Sequence, residues 1–159
     1  MRYFTLSECT RSDTAQSRGI ANTPNEEQKA HITEAVETLL DPLREAWEKL
    51  CADRKLGSPG IRVSSGFRTP ELNKELKGSE TSAHCSGYAF DLIPANGKMM
   101  EFKSFCREFL KDRVFDQLIS EKENSQGVPS WMHVGYKNSK GEQRGQLLSM
   151  ISNKYYPMT

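Results

Sequence analysis

Two of the chain's three histidines and one aspartate lie in short, otherwise apolar stretches, Ser82-Ala-His84-Cys-Ser-Gly87-Tyr-Ala89-Phe-Asp91 and Trp131-Met-His133-Val-Gly-Tyr136. Imidazole nitrogens and a carboxylate oxygen are what a catalytic zinc ion needs, because it usually takes three protein ligands and keeps its fourth position open for water. Arg68, in Ser64-Ser-Gly66-Phe-Arg68-Thr-Pro70, adds a rigid guanidinium fork of the kind that pairs bidentately with a carboxylate. Taken alone, Arg68 reads first as a surface or turn-stabilising residue. Asp116 and Glu121 bracket an apolar run, Asp-Gln-Leu-Ile-Ser-Glu, and each is a candidate to take a proton from water. Strand alternation puts positions 116 and 121 on opposite faces, so at most one of them points at a metal.

These residues need a scaffold, and the chain supplies the signals for one. Gly87-Tyr-Ala89-Phe-Asp91-Leu-Ile93 reads as a strand with small Ala89 on the same face as Asp91, and Trp131–Tyr136 as a strand with Trp131, His133 and Gly135 on one side. Ser86-Gly87 reads as a turn, so His84 enters from a loop while Asp91 and His133 project from a sheet. Thr23-Pro24-Asn25-Glu26 offers a helix start with a capping box. Ile32, Val36, Leu39, Leu40, Leu43, Trp47 and Leu50 then form one apolar stripe, with a kink or restart at Asp41-Pro42 and a stop at Gly57 and Pro59. Residues 61–67 read as a strand, Thr69-Pro70 as the cap of a short helix ending by Gly78, and Lys98 to Lys111 as an amphipathic helix. The tail, with Gln146-Leu-Leu-Ser-Met-Ile151 and Tyr155-Tyr156, is apolar enough to pack back on the rest. The first 22 residues carry no clear assignment. The expected class is α+β: a small antiparallel sheet bearing the zinc site, packed against helices, in one domain over residues 1–159.

The pattern SxHxxGxAxD followed by WxH resembles the signature of the zinc D-alanyl-D-alanine carboxypeptidases and related peptidoglycan peptidases. The Ser-Gly66-Phe-Arg68 segment and the strand before the last histidine extend the likeness across roughly residues 61–137. The opening, Tyr3-Phe-Thr-Leu-Ser-Glu8, is similar to a phage and bacterial branch of that family. The resemblance implies one zinc ion on His84, Asp91 and His133, with Arg68 anchoring a substrate carboxylate and Ser82 bonding substrate backbone. The local alternative for Ser82 is a loop hydroxyl that satisfies its own amides. Substrates would be peptidoglycan stem peptides containing D-amino acids, cut by a carboxypeptidase or by an L-Ala-D-Glu endopeptidase of endolysin type. One position departs from the family, since Ser130 stands three residues before His133 where many members carry an acid. A hydroxyl cannot act as the base at neutral pH. That role falls to Glu121, because the related hedgehog domains also end a strand in Glu shortly before the zinc histidine. The departure also leaves open a module of the same fold that keeps zinc for structure and binds peptidoglycan or protein without cutting it.

Composition removes other classes. Twenty-two basic residues against 21 acidic ones give a net charge of +1, without the basic stripe of a nucleic-acid binder. No apolar run approaches a membrane span, and Arg2, Glu8, Arg11, Asp13 and Arg18 occupy the stretch where a signal-peptide core would lie. The expectation is synthesis in a cytoplasm and action at the bacterial wall. Cys9, Cys51, Cys85 and Cys106 are scattered without a CxxC pair and read as thiols; only Cys85, beside His84, has a ligand's neighbourhood. Trp131 reads as either cleft wall or core, and His31 as a surface residue.

Overall fold

The computed structural model describes residues 1–159. Helices α1 (Leu6–Thr10) and α2 (Asp13–Arg18) fill the unassigned N-terminal stretch, capped by the hydroxyls of Thr5 and Ser12. Helix α3 (Glu26–Ala35) begins two residues later than expected. Its cap is Asn25, whose side chain accepts from Gln28 N–H while the Gln28 side chain closes the box. The apolar stripe continues through a π turn, Val36–Leu40, into α4 (Asp41–Arg54). Pro42 lacks an N–H and crowds the preceding turn, and one widened turn accommodates it without ending the helix.

Strands β1 (Ile61–Ser65), β2 (Ala89–Pro94), β3 (Gln117–Glu121), β4 (Trp131–Gly135), β5 (Gln146–Ile151) and β6 (Lys154–Pro157) form one sheet in the order β1-β2-β4-β3-β5-β6. Helix α5 (Pro70–Glu75), capped by Thr69, follows β1, and α6 (Met99–Leu110) joins β2 to β3. The α+β class holds. The sheet differs from the expected one in a single pairing, because β3 and β5 run parallel while the other neighbours are antiparallel. The cause is the return of the chain after β4: Gly145 N–H donates to Phe115 O, and Arg144 grips Asp116 in a two-pronged ion pair, so β5 starts where β3 starts.

One face of the sheet is covered. Phe90, Leu92, Leu118, Met132 and Val134 join Trp47, Phe102 and the α3–α4 stripe in a cluster of 23 buried apolar residues. The other face, carrying Asp91 and His133, lines a cleft of about 1160 Å³. No helix is long and apolar enough to cross a membrane.

Candidate metal centre

Three elements deliver the cluster. Asp91 on β2 and His133 on β4 are register partners, which places their side chains on one face and side by side. His84 arrives from a 3₁₀ turn, Ala83–Ser86, whose N-cap Ser82 accepts from His84 N–H at 3.2 Å. Gly87 ends the turn with φ of 87°, and a Cβ there would lie 2.8 Å from Gln28 O, so the residue type is set by both conformation and space. Gly66 is a second constrained point. A Cβ on it would meet Cys9 O, the acceptor of Phe67 N–H, where the C-terminal end of α1 crosses beneath the β1–α5 connection.

The ligating atoms of His84, Asp91 and His133 all lie within 4.8 Å of one another; His84 and Asp91 are buried, and the His133 side chain is 12 % exposed. His133 Nδ1 is 3.1 Å and His84 Nε2 3.4 Å from Asp91 Oδ1. Zinc bonds of about 2.0–2.1 Å at tetrahedral angles separate ligand atoms by roughly 3.3–3.4 Å, a spacing that the two contacts to Asp91 approach. His84 Nδ1 donates to Gly66 O at 2.8 Å, which fixes the tautomer and leaves Nε2 free to ligate. Burial lowers the His84 pKa, keeping the ring neutral with its lone pair available. Burial opposes charge on Asp91 too, but the two imidazoles beside it hold its carboxyl below the usual carboxylate range. A neutral His84 ring and an ionised Asp91 are the forms that ligate a metal ion.

Arg68 belongs to the same assembly. Its Nε donates to Ser65 Oγ at 3.2 Å and its Nη1 to Asn73 Oδ1 at 3.2 Å, while Nη2 lies 3.5 Å from Asp91 Oδ2. The guanidinium thus orients the carboxylate ligand, a role additional to the anchoring role that the sequence resemblance implied. Ser82 lines the cleft and caps the His84 turn. Cys85 is half-buried and stands outside the cluster.

Of the two candidate bases, Asp116 is consumed by Arg144, with contacts of 2.8 and 2.9 Å. Glu121 is the contrary case. It is buried at 7 % exposure, lines the cleft, and its Oε2 has no hydrogen-bond partner. Burial raises its pKa, and the Asp91 charge adds to the rise while His133 opposes it. Ser130 is exposed, and its hydroxyl donates to Lys122 O at 3.2 Å. Trp131, on the same sheet face as His133, is a half-buried wall of the cleft with Lys122 Nζ 5.4 Å over its ring.

Two arrangements had no counterpart in the reading of the sequence. Lys122 takes a left-handed backbone, φ 47°, which sends Glu123 through to the helix-covered side. There Glu123 Oε2 accepts from Lys103 Nζ and Ser149 Oγ, both at 2.7 Å, and Lys103 also donates to Gly127 O. The available signal was Lys103 itself, a lysine on the Met99, Cys106, Leu110 stripe of α6. The second concerns His31, expected at the surface. Its ring stacks on Tyr88 with centroids 4.2 Å apart, and its Nδ1 is 2.8 Å from Ser86 O, tying α3 to the His84 turn.

A His/Asp/His group in the cleft of a mixed α+β sheet, with an unpartnered carboxylate lining the same cleft, is an arrangement that can hold a metal ion. The family comparison narrows the class: residues 2–128 match the model of Peptidase M15, and the chain belongs to that family of metallopeptidases, whose substrates are peptides. The match ends before His133, so the third ligand rests on the geometry above. Among curated proteins, none matches this chain.

Proposed function

We propose that the chain is a zinc peptidase acting on peptidoglycan stem peptides that contain D-amino acids, in a single domain. The observation that carries the hydrolytic reading is the buried, unpartnered Oε2 of Glu121 beside three side chains at zinc-ligand spacing. Leaving a buried carboxylate oxygen unpaired costs about 1–3 kcal/mol, and a fold keeps such a defect where function uses it. The wall substrate rests on the motif SxHxxGxAxD…WxH and on the Ser-Gly66-Phe-Arg68 segment.

A zinc ion on His84, Asp91 and His133 would supply Lewis acidity, acidifying water at neutral pH and polarising the peptide carbonyl. Glu121 takes the proton of the attacking water and returns it to the departing amine. Arg68, with three groups of its fork engaged by Ser65, Asn73 and Asp91, offers its remaining N–H donors to a substrate carboxylate and so fixes the register of the peptide. Ser82 accepts from His84 N–H and keeps its hydroxyl proton for a substrate carbonyl.

The alternative, a zinc-stabilised binding module without turnover, draws on the missing acid at Ser130. Glu121 reaches the cleft from another strand and weakens that argument. Digestion of purified peptidoglycan by the zinc-loaded protein, with fragments read by mass spectrometry, decides between them. New peptide termini that vanish in His84→Ala support the peptidase. Stoichiometric zinc with intact wall peptides supports the binding module.

A further inference from the structure

The cleft runs across the strands, and its two arms differ. One row of register partners, Ser65, Asp91, His133, Ile119 and Leu148, crosses five strands from β1 to β5. In a second row Trp131 pairs with Glu121, the parallel ladder one step beyond Ser120–Ser149 puts Met150 beside Glu121, and Met150 pairs with Tyr155 on β6. Every residue of both rows lines the cleft.

Arg68, on the β1 arm, gives the cleft a direction. In both a terminal D-Ala-D-Ala cut and an internal L-Ala-D-Glu cut, the carboxylate nearest the scissile bond sits on the residue that supplies the leaving amine. A carboxylate on Arg68 therefore marks the amine side, and the carbonyl side of the substrate runs toward β6. The β1 arm does not close behind Arg68, since its lining continues through Asp13 and Lys77, which leaves room for a stem that goes on past the anchored residue.

The β6 arm sets an apolar floor beside uncommitted polar groups. Leu148 and Met150 are half-buried, and Tyr155 is 57 % exposed. Asp116 is cancelled by Arg144, and Asn138 is spent on its own turn, accepting from Lys140 and Glu142 N–H. Lys122 lies back over the Trp131 ring. What remains free is the Asn153 side-chain amide, which bonds to nothing in the chain, Nη1 of Arg144, and the carbonyl oxygen of Gln117, whose amide nitrogen donates to Gln146. A ring face beside a few hydrogen-bonding groups, with the one ion pair self-cancelling, suits a neutral amphipathic ligand. A pyranose is such a ligand, with C–H groups on its faces and hydroxyl and acetamido groups around its rim.

Spacing selects the pyranose. The stem peptide hangs from the glycan by an amide between L-Ala and the lactyl group of N-acetylmuramic acid. Neighbouring strands lie about 4.8 Å apart, so β5 and β6 stand roughly 10 and 14 Å from β4 and its ligand. At about 3.4 Å per extended residue, L-Ala and the lactyl link start the sugar about 7 Å from a carbonyl cleaved after L-Ala, which lays the ring over β5 with Tyr155 at its outer side. After a D-Ala-D-Ala cut the sugar would start roughly 17 Å away, past the edge of the sheet. Ser152 and Asn153 take positive φ in the tight turn between β5 and β6, which holds Asn153 and Tyr155 in a fixed relation. All of β5 and β6 lies beyond the segment that matches the family.

We infer that Met150, Asn153 and Tyr155 form a subsite for the N-acetylmuramic acid ring that bears the stem, and that the chain cuts the bond one residue from the glycan. The inference rests on the peptidoglycan peptidase reading for its substrate, and on the sheet geometry for the subsite.

The probes are N-acetylmuramyl-L-Ala-γ-D-Glu-L-Lys-D-Ala-D-Ala and the same pentapeptide capped by a lactyl group without the sugar. Binding to the zinc-loaded Glu121→Gln protein is measured by calorimetry, and products from the zinc-loaded wild type are read by mass spectrometry. The sugar is expected to tighten binding roughly tenfold, as one stacked ring and a hydrogen bond would supply. Tyr155→Ala and Asn153→Ala each shrink that difference, Tyr155→Phe keeps it, and Lys154→Ala, in the same hairpin, leaves it unchanged. The wild type is expected to release muramyl-L-Ala. Equal affinity for the two probes, or a sugar effect that survives both alanine variants, overturns the subsite, and release of D-Ala alone overturns the choice of bond. A sugar preference in binding with no cleavage sinks the peptidase and spares the subsite, whereas equal cleavage of both probes after L-Ala does the reverse.

Discussion

Glu121 and Glu123 stand two residues apart at the end of β3, both with carboxylates shielded from solvent, and they are opposites in every other respect. Glu123 passes to the helix-covered side and is satisfied there by Lys103 and Ser149. Glu121 stays on the cleft side with an oxygen that nothing in the chain satisfies. A buried charge is therefore no guide to function by itself. What separates structure from chemistry at this point is whether the charge is paired. Asp116, at the other end of the same strand, makes the point again, since Arg144 has already taken both its oxygens.

The largest effect belongs to the unpaired member. Glu121→Gln is expected to lower turnover by about 10²–10⁴-fold while zinc stoichiometry stays at one, read by single-turnover hydrolysis beside metal analysis. Asp116→Asn should leave turnover within the range of its stability loss; an equal collapse of turnover in both variants would break the contrast.

The paired member should show up in stability instead. Lys103→Met strands Glu123 in the interior, and a loss of about 3–5 kcal/mol is expected in denaturant unfolding. The double variant Lys103→Met/Glu123→Gln should recover much of that loss, because no uncompensated charge remains. A double variant no better than the single one would mean that the lysine stem, and not the ion pair, carries the packing.

Arg68 tests the boundary between the two kinds of residue. Arg68→Ala removes the partner that orients Asp91, and zinc affinity should fall roughly 10–100-fold, measured by competition with a chelator. An unchanged zinc affinity with a raised KM would assign Arg68 wholly to substrate.

The smallest effect is a pH dependence. Burial pushes the Glu123 carboxyl up, but the bonds from Lys103 and Ser149 hold it below its ordinary value. A lowered pKa in the folded state means that the unfolded chain binds the proton more readily. The resulting stability is present above the normal carboxylate range and disappears as pH falls through the folded value. The wild type should accordingly lose more stability than Glu123→Gln on going from neutral to acid pH. Parallel stability curves for the two would contradict the pairing.

How much of this could be read from residues alone follows from distance along the chain. His84, Asp91 and their turn sit within one short motif, where local spacing and alternation suffice. Glu121 was legible as a candidate beside Asp116, through the resemblance to domains that end a strand in Glu before the zinc histidine. The place of β5 beside β3 was not, because their parallel register goes with the Arg144–Asp116 clasp and not with any pattern within either strand. The Lys103–Glu123 pair needs α6 to cross the sheet at the right height and Lys122 to reverse the alternation. The helix cap at Asn25 and the π turn before Pro42 are smaller displacements of the same kind. In both cases side-chain bonding and ring sterics chose among neighbouring positions that composition leaves nearly equivalent.

The central claim is that Glu121 serves a metal held by His84, Asp91 and His133. It is tested most directly by measuring, on one preparation of the Glu121→Gln variant, both bound zinc and the release of new termini from purified peptidoglycan. The account predicts one zinc per chain and almost no release, against one zinc and ready release for the wild type. Release at the wild-type rate, or a variant that no longer binds zinc, would contradict it.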